Sequence, residues 1–172
     1  MGIDSLLYRI MLVAHIGSVV VAIGGIIAHG AYHAAAFRAA APQTAAVLLD
    51  AAGPARRSAE WALYGVIPTG IVLVAFSDDT FSYLDLWVMI GIVAWLGIIS
   101  ALHGAVRPAV TKLGERATEL ASGGSTSADS DGDRLESDST AQGIAGRLVI
   151  GEVTIQVLGV VALVAMIWKP GG

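Results

Sequence analysis

Four apolar runs separated by polar stretches set the pattern of this chain. They cover Ile10 to about Ala31, Ser58 to about Phe76, Leu86 to Val106 and Leu148 to Trp168. At 1.5 Å per residue the first run makes a helix of about 33 Å, enough to cross a hydrocarbon core of about 30 Å. The other three are of similar length. Spans of this kind must be helical, because lipid offers no partner for backbone N–H and C=O groups. The pattern predicts an all-α integral membrane four-helix bundle with up-down antiparallel order.

The stretches between the runs predict the rest. Met1 to Arg9 is a short lead. Ala34 to Arg57 is a connector in which Gln43 to Ala52 reads as a short surface helix stopped by Gly53-Pro54, with Ser58 as the N-cap of the second span. Pro68 falls in the middle of that span, a position that lipid-embedded helices tolerate when neighbours satisfy the freed carbonyl. Ser77 to Asp85 is a tight acidic loop without Lys or Arg. Arg107-Pro108 reads as the end of the third span, and Thr111 to Leu120 as a short polar helix beyond it. Ala121 to Gln142 is rich in Ser, Asp and Gly, with Leu135 its only large apolar residue. Such a segment buries too little to offset its ordering entropy and reads as a disordered acidic linker. The organisation expected is therefore residues 1–120 with three spans, a linker at 121–142, and the fourth span in 143–172.

Within the first run the polar positions are not scattered. His15, Ser18, Ala22, Gly25, His29 and Tyr32 follow alternating steps of three and four, the seam spacing of packed helices. His33 lies one turn beyond His29. Val19, Val20, Ile23, Ile26 and Ile27 occupy the other faces. Small residues let helices approach closely in lipid, so the His seam reads as inward and the aliphatic faces as lipid-facing.

Charge adds an orientation. Four spans place both termini and the second loop on one side, which holds Arg9 and Lys169. The other eight of the ten Lys and Arg residues lie in the first loop, the third loop or the span ends beside them. The positive-inside rule puts those loops, including the acidic linker, in the cytoplasm and both termini outside. Trp61, Trp87 and Trp168 fall near the interfaces, where amphipathic rings are at home.

Composition narrows the chemistry. The chain is 55% hydrophobic and has no cysteine, which excludes disulfides, thiolate metal sites and c-type haem attachment. No nucleophile elbow, P-loop or Rossmann glycine pattern is present, and nothing points to nucleic acid. No catalytic residue can be named.

What remains is a set of ionisable groups in apolar helices, which usually face a bundle interior and mark function. His29 and His33 close the first span, Glu60 opens the second, His103 lies four residues before Arg107, and Glu152 lies five residues past Arg147. The orientation brings all of them to the cytoplasmic leaflet, with His15 toward the other. One reading is haem b held between helices one and three by His29 and His103, each followed by Gly, with Arg107 or Arg38 meeting a propionate, in a redox or electron-transfer role. The other is a divalent transition metal or proton site made of His29, His33, His103, Glu152 and Glu60. The plainest readings make His33 an interfacial residue, His15 a hydrogen-bonding one, and the chain a non-catalytic bundle that associates with a partner.

Leu12-Val13-Ala14-His15-Ile16-Gly17 with Gly24-Gly25, Pro68 with Gly70, and the closing Met166-Ile167-Trp168-Lys169-Pro170 resemble an uncharacterised family of predicted four-span prokaryotic integral membrane proteins. More distantly, the chain is similar to the copper-resistance D proteins and the membrane-bound protoporphyrinogen oxidases. The resemblance implies the plasma membrane of a prokaryote and a membrane redox partner or homo-oligomer. In those oxidases an early His of the first helix is linked to haem, a role that maps onto His15. The acidic linker and the His29-His33 pair depart from that pattern.

Overall fold

The computed structural model of the protein describes residues 3, 5–78, 80–123 and 135–170. Among them every regular element is helical: α1 (Leu6–Phe37), α2 (Pro42–Ala51), α3 (Gly53–Ala75), α4 (Leu86–Ala101), a π-helical turn (Leu102–Val106), α5 (Arg107–Gly123) and α6 (Ser139–Trp168). Four helical stretches are long and apolar enough to cross a membrane, Leu6–Phe37, Pro42–Ala75, Leu86–Ser122 and Ser139–Trp168. The chain is an all-α, multi-pass membrane protein.

Several helix boundaries differ from the sequence expectation. Gly53-Pro54 opens α3 instead of only closing α2, because the first turn of a helix has no use for the N–H that proline lacks. Ser58 is consequently inside α3 and is not its N-cap. For the same reason Arg107-Pro108 does not end the third span. The helix widens through the π turn, where the Arg107 N–H reaches the Leu102 carbonyl, and continues as α5. The expected linker also narrows. Ala121 to Gly123 belong to α5, Leu135 is buried, and Ser139 to Gln142 form the first turn of α6. Residues 124–134 lie outside the described residues.

The chain divides into two compact units. The first comprises Met1–Gly25, Arg57–Ile99 and Ile155–Gly172. It holds the N-terminal part of α1, most of α3, α4 and the C-terminal part of α6, so successive helices alternate in direction. Small residues set its close approaches. A Cβ at Gly97 would lie 2.7 Å from Leu158 Cδ1, and one at Gly65 would lie 3.3 Å from Ser18 Oγ. The Trp95 indole N–H donates to the Leu63 carbonyl at 2.9 Å. The loop after α3 is tied by buried Ser77, whose hydroxyl accepts the Phe81 N–H at 3.1 Å. Tyr83 donates to the Ile71 carbonyl at 3.0 Å.

The second unit comprises Ile26–Arg56 and Ser100–Thr154. Here α2 packs on α5 through Ala45 and Leu49, and α5 buries Ala109, Leu113 and Ala117. Gln43 donates to the Ala121 carbonyl at 3.3 Å. Asp138 caps α6 by accepting the Ala141 N–H at 2.7 Å. Its other oxygen takes the guanidinium of Arg116, with Nε at 3.1 Å.

The bond from Arg116, followed by that from the Ala141 amide, holds the Asp138 carboxyl below the usual carboxylate range. A lowered folded-state value means that the stabilisation is complete above the unfolded value and is lost as pH falls through the folded one. Asp138→Asn should therefore lower the thermal unfolding temperature at pH 7, and the gap to the parent should close as the pH falls toward and below the ordinary carboxylate range. Asp138→Ala should cost about 1 kcal/mol as a lost cap.

Candidate metal centre

The seam of α1 is visible in its burial. His15, Ala22, His29, His33 and Ala36 are buried, whereas Val20, Ile23 and Ile27 are exposed. Tyr32, expected on the seam, is 38% exposed, and His33 takes the inward place one position later. The side chain of His33 is thus inside the second unit.

There it meets His29 and Glu152. The His33 imidazole donates from Nδ1 to Glu152 Oε1 at 3.0 Å. His29 Nδ1 lies 3.5 Å from the same oxygen. The two rings stand edge to face with centroids 3.8 Å apart, as residues one helical turn apart can. Glu152 reaches them because Gly30 leaves room: a Cβ there would lie 3.2 Å from Glu152 Oε2. The neighbouring Gly151 fixes the height of α6, since a Cβ at that position would sit 2.8 Å from Val106 Cγ2 in the π turn. Two glycines therefore aim one carboxylate at two imidazoles.

The far nitrogen of each ring, Nε2 of His29 and of His33, is buried with no hydrogen-bond partner among the described residues. Buried polar atoms rarely stay unsatisfied, and each costs about 1–3 kcal/mol when it does. The carboxylate, 13% exposed, also needs a positive counterpart in this apolar setting. A cation held between the two Nδ1 atoms and Glu152 Oε1 would supply that positive charge. One ligand atom from each of the three side chains lies within 4.8 Å of the others. Adjacent ligands of a tetrahedral ion held at about 2.0–2.1 Å are roughly 3.3 Å apart, so the site fits with small adjustments of side chains. A cavity of about 420 Å³, lined by His33, Glu152, Gly30, Arg38 and Gln142 among others, adjoins the carboxylate and gives access to it.

The other residues singled out in the sequence lie elsewhere. His103 is in the π turn with an exposed side chain, and Arg107 opens α5 half-buried. Glu60 is buried in α3, within the first unit. His15 is also in the first unit, where its Nδ1 lies 3.1 Å from the Val66 carbonyl and 3.0 Å from Thr69 Oγ1. A carbonyl only accepts, so Nδ1 carries the proton. Thr69 in turn donates to the Gly65 carbonyl at 2.7 Å, in the turn that Pro68 deprives of an N–H. The hydrogen-bonding reading of His15 is thereby met, whereas the part of Thr69 was not anticipated; the signal for it was the adjacency of Pro68 and Thr69.

Comparison with models of known protein families gives no match, and neither do comparisons with curated proteins and with solved structures.

Gly30 tests how the site is assembled. Gly30→Ala should be tolerated, because the carboxylate need give only a few tenths of an ångström. Gly30→Leu should displace Glu152 and leave two buried imidazoles without their acceptor, at a cost of about 1–3 kcal/mol in thermal or denaturant unfolding. Equal stability of the two variants would contradict the contact.

Proposed function

We propose that this protein binds a divalent transition metal, of the zinc class, through His29, His33 and Glu152 within a membrane-embedded helical bundle. The observation that carries the reading is the convergence of the Nδ1 atoms of two buried imidazoles on one carboxylate oxygen of the half-buried Glu152. Imidazole and carboxylate donors suit zinc, iron and manganese, and a three-residue set leaves a position open for water or an exchanging ligand. A site with an open position and an adjoining cavity supports metal handling, whether delivery, sensing or passage, more than a purely structural role. No reaction is assigned to it.

Haem b between His29 and His103 finds less support. His29 Nε2 is sealed inside the protein, its other nitrogen faces Glu152, and His103 is exposed. A macrocycle at His29 would have to displace the packing that now covers the ring.

Metal content decides between these readings. The purified protein, stripped and reloaded with zinc, should hold a single ion per chain. His29→Ala, His33→Ala and Glu152→Ala should each lose it, while His15→Ala and His103→Ala should keep it. Expression with ample haem should give no Soret band. Unchanged zinc content in the first three variants would overturn the assignment, and a Soret band lost in His29→Ala and His103→Ala would reinstate haem.

For orientation we propose that both termini lie outside the plasma membrane of a prokaryotic cell, on the strength of the two-against-eight distribution of Lys and Arg. A cysteine at Leu84, which is 85% exposed, should react with an impermeant maleimide in intact cells. One at exposed Lys112 should react only after lysis. The reverse pattern would refute this orientation.

A further inference from the structure

The first unit contains a second candidate site, independent of the metal centre. A cavity of about 440 Å³ runs along α1 from Tyr8 to Val20 and is walled by apolar side chains of α3, α4 and α6. Twelve residues of helix measure about 18 Å, close to half of a hydrocarbon core of about 30 Å. The cavity thus has the length of one leaflet. Its polar groups are concentrated where the helices end. Trp87 opens α4, and its indole Nε1 is buried with no hydrogen-bond partner among the described residues. Lys169 follows the last residue of α6 in a left-handed conformation, φ 44°, that L residues rarely adopt. Its ammonium lies over the Phe81 ring, 4.3 Å from the centroid, and 5.5 Å from that of Trp87. Phe81, Trp87 and Lys169 all line the cavity.

One cationic donor, stacked on the Phe81 and Trp87 rings, therefore stands at the mouth of a leaflet-long apolar slot. At the other end His15 makes little further demand, since its Nδ1 is already held by Val66 and Thr69. In the adjoining acidic loop, Asp85 is turned onto the Ser82 N–H at 2.9 Å. The groups at the mouth call for an acceptor that carries negative charge, and the slot calls for a single hydrocarbon chain. We propose that this cavity binds an anionic amphiphile, with its acyl chain along α1 and its carboxylate or phosphate headgroup on Lys169. A free fatty acid and an anionic phospholipid share this chemistry.

Native mass spectrometry of the full chain released from detergent distinguishes them, with oleate, dioleoyl phosphatidylglycerol and dioleoyl phosphatidylcholine added in turn. One equivalent of oleate or of the phosphatidylglycerol should be retained in preference to the phosphatidylcholine. Selective retention of oleate identifies a fatty-acid site, and of the phosphatidylglycerol a phospholipid site. Lys169→Gln should weaken retention roughly fivefold or more, the usual effect of one cation at a membrane surface. Gly91→Leu should abolish it. A Cβ at Gly91 meets Met166 Cε at an ordinary 3.5 Å, so a larger side chain grows into the cavity that Gly91 lines. Lys169 is exposed, so its substitution leaves the fold intact and the test stands even if Gly91→Leu fails to fold. Equal retention of all three lipids, or parent-level retention by Lys169→Gln, would overturn the proposal.

Discussion

A half-buried carboxylate in an apolar helix is the constraint on which the second unit depends. Glu152 lies among valines, isoleucines and glycines on α6, where an unpaired charge would be expelled or neutralised. Everything near it serves its accommodation. Gly30 gives it space on α1, Gly151 lets α6 close on the π turn, and His29 and His33 present their Nδ1 atoms to the same oxygen. Burying an ion pair rarely yields net stability. A cation shared by the two Nδ1 atoms and the carboxylate would take the place of those proton-mediated contacts.

Polar satisfaction also explains the first unit, with different means. Pro68 removes a backbone donor from the middle of α3, and the hydroxyl of Thr69 with the imidazole of His15 supplies donors to carbonyls of the preceding turn. Trp95 does the same for the Leu63 carbonyl. The large aliphatic residues play the opposite part. Val20, Ile27, Val149, Ile150 and Ile167 are all more than half exposed, as expected where lipid is the solvent. Leu63, Leu113 and Ile155 are among the aliphatics that are buried, while close contacts are made at Gly30, Gly65, Gly97 and Gly151.

Much of this was readable in the sequence. Length and apolarity specified four spans, and the spacing of His15, Ala22 and His29 identified the buried stripe of α1. His29, His33 and Glu152 could be named as candidate ligands because ionisable groups are rare in such helices, but His103 and Glu60, named with them, lie elsewhere. Three things were not readable. Pro54 and Pro108 look like stops but occupy first turns, where proline is at home, so sequence alone could not tell an ending from a beginning. The choice between Tyr32 and His33 for the seam turned on one residue, a rotation of about 100° that a degenerate three-four pattern does not resolve. Asp138 was hidden in an acidic stretch whose composition suggested disorder, although a lone Asp before Ser-Thr-Ala is also a helix cap.

The central claim is that the two imidazoles of α1 and the carboxylate of α6 bind one ion together. X-ray absorption at the zinc edge of the loaded protein tests it most directly. The account predicts a nearest shell of nitrogen and oxygen at about 2.0–2.1 Å with outer-shell scattering from two imidazoles. A shell of oxygens alone, without imidazole scattering, would contradict it.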